Sequence, residues 1–155
     1  MSSVTWYELW LFLHISGAIL WAGGAVVVQA FGILTQRAAD PAQAAAFGRN
    51  AAWVGSRIFM PSSGLVLVTG ILLTEDGSWP WDEPFIVLGL LGWVAVAATG
   101  FGYITPRMKA LSLQMTQEGP SPELLGQVRR LVLLARLLVV VLFVIVFVMV
   151  VKLGT

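Results

Sequence analysis

The sequence predicts an all-α integral membrane protein, a four-helix bundle with both termini on the outer side of a bilayer. Three observations predict it. The 155 residues are 58% hydrophobic and only 11% charged, against roughly 45–50% and about 25% in soluble domains. The few charges leave four long gaps, and their signs segregate between the connections. So little charge excludes a disordered chain. A net charge of +1 gives no electrostatic footing for nucleic acid as a partner. Without cysteine, disulfides, iron–sulfur clusters and thiolate metal sites are excluded.

The gaps define the spans. No charged residue lies between Glu8 and Arg37, Arg57 and Glu75, or Glu83 and Arg107, and only Arg136 lies between Arg130 and Lys152. Each gap approaches or exceeds the ~20 residues a helix needs to cross a hydrocarbon core. A backbone in lipid must satisfy its own hydrogen bonds, so the gaps read as helices. The spans are placed at Trp6–Leu34, Trp53–Leu73, Pro84–Ile104 and Leu131–Leu153, in one domain over residues 1–155. The first span lacks the basic start and the cleavage site of a signal peptide.

The connections orient the bundle. The first carries Arg37 and Arg49, and the third Arg107, Lys109, Arg129 and Arg130; the middle one carries Glu75, Asp76, Asp82 and Glu83. The positive-inside rule makes the first and third cytoplasmic in a bacterial inner membrane. Trp6, Tyr7, Trp10, Trp79 and Trp81 then form an aromatic belt on the outer side. Asp40-Pro41 reads as a helix cap followed by a first-turn proline, so the second helix is expected to start near Pro41. Gly119-Pro120 ends the third helix. Ser121-Pro122-Glu123 restarts the chain with a cap, a proline and an acid at the positive end of the helix dipole, making the fourth helix longer than its span.

His14 is the only histidine, and it lies inside the first span. Tyr7, Trp10, His14, Gly17, Trp21, Gly24, Val28 and Phe31 recur at three/four spacing and share a face. An imidazole facing lipid is costly, so this face is expected to point into the bundle. Glycines on it admit another helix or a flat ligand. Counting about nine residues, roughly 13 Å, from the outer interface places Ser63 and Gly64, Gly92 and Trp93, and Val144 at the depth of His14. One imidazole, small residues opposite and aromatic walls suit b-type haem, with a neutral ring nitrogen on iron. The alternative is a structural histidine bonded to Ser63 or to a backbone carbonyl. Met60 and Met149 are the soft candidates for a second axial ligand, each about a turn or more from that depth; a homodimer sharing two copies of His14 is another arrangement.

Arg57, about a turn into the second span, is a candidate anion partner or a snorkelling side chain. Pro61 is expected to kink its helix and free a carbonyl for Ser62, Ser63 or water. Arg136 reads as snorkelling, and the remaining basic residues as topology determinants in contact with anionic lipid. The four acids of the middle loop match no cation-binding spacing. The fourth helix, with Val139–Val141 and Val144–Val151, is apolar nearly all round and is expected to face lipid or a second subunit. Past Glu8, in the first turn of the first span, the spans hold no Asp or Glu, which weighs against an ion-coupled transporter.

The run Leu13-His14-Ile15-Ser16-Gly17-Ala18-Ile19-Leu20-Trp21-Ala22-Gly23-Gly24 resembles the first helix of a group of small bacterial membrane proteins. The group includes an uncharacterised family of four-helix predicted integral membrane proteins, the membrane domain of copper-resistance protein D and the HemJ-type protoporphyrinogen oxidases. Thr69-Gly70 and Tyr103-Ile104-Thr105-Pro106-Arg107 resemble the uncharacterised family best. The HemJ-type resemblance implies haem at His14 and porphyrinogen oxidation. Those proteins also carry a third-helix lysine and further histidines; here Lys109 is the first lysine and His14 the only histidine. The copper-resistance resemblance implies copper passage, yet there is no cysteine and no Met- or His-rich path.

The leading expectation is a membrane protein that binds haem b at His14 for electron transfer, haem handling or sensing. Gly17, Trp21, Gly24, Ser63, Gly64 and Trp93 would shape the pocket, with Arg57 a partner for an anionic group. The other expectations are a cofactor-free accessory subunit of a larger membrane complex, and copper or small-solute permeation.

Overall fold

The computed structural model describes residues 4–38 and 40–152. Among them the chain forms four helices long and apolar enough to cross a membrane. These are α1 (Trp6–Ala38), α2 (Pro41–Asp76), α3 (Pro84–Gln117) and α4 (Pro122–Val151). Leu153, the last residue of the expected fourth span, lies outside the described residues.

Local chemistry sets the helix ends. Thr5 and Glu8 form a reciprocal capping box, supplying acceptors to the otherwise unpaired N–H groups of the first turn. The side chain of Asp40 accepts from the Ala42 N–H and that of Ser121 from the Leu124 N–H, each ahead of a first-turn proline, as the sequence predicts. Gly119 takes a φ of +84°, a left-handed conformation that glycine adopts without strain, between α3 and α4. Every helix outruns its charge-free gap. In particular α2 continues to Asp76, so Glu75 and Asp76 belong to its last turn and not to the loop.

Three of the helices contain a π-helical turn: Ile19–Gly23 in α1, Gly55–Phe59 in α2 and Gly100–Ile104 in α3. Such turns are rare and commonly mark functional or strained positions. Two of them have a visible cause. Pro61 and Pro106 stand just beyond the second and third turns, where a proline neither donates to the carbonyl four residues back nor fits against it. The ladder widens instead: the Met60 N–H reaches the Gly55 carbonyl and the Thr105 N–H the Gly100 carbonyl. A widened turn therefore stands just before Pro61, where the sequence predicts a kink.

Packing differs on the two sides of these turns. Near the acidic connection, Trp6–Ala18 of α1 packs on Met60–Asp76 of α2, while Pro84–Thr99 of α3 packs on α4. Toward the basic connections α2 changes partner, and Pro41–Val54 packs on Thr105–Gln117. That half is closed by a core of Ala44, Ala45, Met108, Leu111, Met115, Val128, Leu131 and Val132 from three helices. The end of α4 meets the middle loop, where the Lys152 ammonium lies 4.3 Å from the centre of the Trp79 ring.

Candidate functional site

His14 lies on the face of α1 that meets α2 and is half-buried. Its Nδ1 is 3.1 Å from Thr69 Oγ1. Thr69 is 1% exposed, and its hydroxyl lies 2.6 Å from the Leu65 carbonyl, one turn back on its own helix. Gly70 leaves room for the ring: a Cβ there would stand 3.2 Å from His14 Cε1. The sequence places Ser63 and Gly64 opposite His14, and the structure corrects this to Thr69 and Gly70. The offset of six residues amounts to about 9 Å at 1.5 Å per residue. Part of it arises because α2 runs to Asp76, so its upper end lies above the last uncharged residue.

The other three helices do share the expected level. The Trp93 indole N–H donates to the Ser63 carbonyl at 3.0 Å, and Ile145, next to Val144, lies 2.6 Å from the Cβ that Gly92 would carry. The α1 residues nearest this level are around Gly17. A Cβ on Gly17 would stand 3.0 Å from Val66 Cγ2 and 3.2 Å from the Ser62 carbonyl oxygen; one on Gly24 would stand 2.8 Å from Phe59 Cε1. Both glycines thus seat α2 and not a flat ligand.

Trp21 is buried with Ala22, Val96 and Leu142 and stacks on Phe101 with 6.2 Å between ring centres. Ser63 is 2% exposed, with its hydroxyl donating to the Met60 carbonyl. Gly64 has nothing within 4 Å of a Cβ position and forms no wall. Arg57 is exposed on the bundle surface; twelve residues along α2 from Thr69, or about 18 Å, it is not brought to His14. The stripe on α1 holds from His14 through Gly24 and Val28 and slips by one at Phe31. Gly32 is buried against Phe47 and Phe31 is 60% exposed, because a π-turn adds a residue to its turn and rotates everything beyond it.

The expected pocket is therefore not assembled around the imidazole. What meets His14 on α2 is Thr69 and Gly70, with the Leu65 carbonyl bonded in turn to Thr69. Of these, Thr69-Gly70 stands out in the sequence only through the resemblance. A separate pocket of about 110 Å³ lies lower in the bundle; Trp21 lines it, and His14, Gly17, Gly24, Ser63, Gly64 and Trp93 do not.

The family described as Predicted integral membrane protein (DUF2269) matches residues 8–153. The chain belongs to that family. This agrees with four helices long and apolar enough to cross a membrane. No curated protein and no solved structure matches the chain.

Proposed function

We propose that this membrane protein binds b-type haem through Nε2 of His14 and uses it for electron transfer, or for handling or sensing haem. The hydrogen bond between His14 and Thr69 carries this reading. The hydroxyl proton of Thr69 is committed to the Leu65 carbonyl, so Thr69 Oγ1 has only a lone pair to offer His14. The tautomer that fits this arrangement has the ring proton on Nδ1 and the lone pair on Nε2. A ring held by one nitrogen, with the other left basic, is how proteins present imidazole to a metal. Because Gly17 and Gly24 are filled by α2 side chains, the α1–α2 seam itself does not admit the macrocycle. His14 would hold the iron, and haem when bound would supply one-electron chemistry. We further propose that both termini lie outside the cytoplasm, on the strength of the basic first and third connections.

The test is the absorbance spectrum of protein purified after haem-replete expression. A Soret band that disappears in His14→Ala is expected. Absence of the band, or a band unchanged in that variant, overturns the proposal. Thr69→Val is expected to keep the band and shift its midpoint potential, because the partner of the ring N–H tunes ligand basicity.

A second reading, an accessory subunit docking to another membrane subunit or to a second copy, is favoured by one feature. Along Trp6–Ala18, α1 packs chiefly on α2 and leaves Phe12 and Ile15 exposed, as is Ile19 just beyond. A stoichiometric partner that co-purifies without a chromophore would support it.

A further inference from the structure

The 110 Å³ pocket lies where the three π-turns converge. Each turn contributes to its wall: Trp21 from α1, Gly55 and Phe59 from α2, Phe101 from α3. Widened turns redirect side chains that a regular helix would aim elsewhere, and here all three open onto one space. The wall is apolar and rich in aromatic rings, and no charged residue lines it. Two polar side chains do, Gln29 and Thr105. The Gln29 amide nitrogen donates to the Val132 carbonyl at 3.4 Å, but Gln29 Oε1 is buried and has no hydrogen-bond partner. Leaving a buried acceptor unpaired costs about 1–3 kcal/mol, so this oxygen marks where a donor belongs.

We propose that this pocket binds the uncharged aromatic headgroup of a phenol or hydroquinone. Its hydroxyl donates to Gln29 Oε1, and its ring lies among Trp21, Phe59 and Phe101. The volume is somewhat below that of an engineered cavity of about 150 Å³ that takes benzene, which limits the occupant to a single ring. The absence of charge along the wall matches a neutral ligand, and the buried amide oxygen selects one that carries a proton donor. This site is distinct from the one at His14 and rests on different residues, so the two proposals fail separately: absorbance reads one and ligand binding the other.

The test uses the full chain in nanodiscs with 4-fluorophenol as the probe, followed by fluorine NMR, and 4-fluorotoluene as the match lacking the hydroxyl. The phenol is expected to bind, and the toluene about twofold to tenfold more weakly, the span corresponding to one neutral hydrogen bond. Gln29→Leu is expected to bring the two probes to equal affinity, and Ala135→Phe, on the pocket wall, to exclude both. Thermal unfolding of each variant checks that it is folded. Equal affinity of the two probes for the unmodified chain overturns the proposal, as does a pocket that takes up water and no probe. So does a preference for the phenol that survives Gln29→Leu. Competition by hydroquinone with and without an isoprenoid tail then distinguishes a membrane-dissolved source from a water-soluble one.

Discussion

The two halves of the bundle are built differently. Toward the basic connections three helices share a continuous core, with Met108, Leu111 and Met115 of α3 packed against Ala44 and Ala45 of α2 and Val128, Leu131 and Val132 of α4. Toward the acidic connection the helices stand as two pairs, α1 on α2 and α3 on α4, with the Trp93–Ser63 hydrogen bond joining one pair to the other. The pairs rely on close approach at glycines, Gly17 and Gly70 in one and Gly89 and Gly92 in the other. This suits lipid, where apolar surface gains nothing by leaving one hydrocarbon for another and backbone proximity carries the association. The difference teaches that the π-turns are a structural junction. They rotate the faces of α1, α2 and α3 so that α2 serves α1 on one side and α3 on the other.

That comparison can be broken most directly at Gly17. Gly17→Leu meets Val66 and the Ser62 backbone oxygen, which yields little, and is expected to destabilise the chain by about 1–3 kcal/mol. Gly64→Leu, which meets nothing, is expected to leave stability unchanged. Reversible unfolding in mixed micelles measures both, and equal effects would contradict the pairing. Gly55→Leu tests the junction. A Cβ there stands 2.8 Å from Thr105 Oγ1, so α2 and α3 are expected to separate while α1 and α2 stay paired. Distances between spin labels on engineered cysteines read this directly, since the chain has no cysteine of its own; unchanged α2–α3 distances would count against it.

Smaller effects sharpen the picture. Thr69→Val removes the partner of His14 and is expected to cost up to about 1.7 kcal/mol, the largest value found for hydrogen bonds between membrane helices. Trp93→Phe removes the bond between the two pairs and is expected to cost about 0.6 kcal/mol, the average for such bonds. The same unfolding measurement ranks them. A loss at Trp93 exceeding that of Gly17→Leu would mean that the pairs are less independent than their packing implies.

Much of the fold was legible in the sequence because charge in a membrane is expensive and its placement is therefore informative. The gaps gave the number of helices, and Asp40 and Ser121 gave two of the starts. The site was less legible. His14 was identifiable as the one histidine, but its partner was not. Counting depth from charged landmarks puts Glu75 and Asp76 beyond the helix, and that accounts for part of the shift of the expected neighbours down to Ser63 and Gly64. Gly17 and Gly24 could equally have seated a helix or a ligand, because a stripe of small residues only declares that something comes close.

The sequence by itself determined the four helices, the polarity of their connections and the solitary position of His14, all through the cost of placing charge and unpaired backbone in hydrocarbon. Only the tertiary structure decided that Thr69 holds the imidazole, that α2 fills the glycine faces, and that Gln29 keeps an unpaired oxygen in a pocket among three widened turns. Pro61 and Pro106 mark two of those turns in the sequence. One inserted residue per turn, however, rotates every position beyond it, and which faces then meet is settled by packing among the helices and not within any one of them.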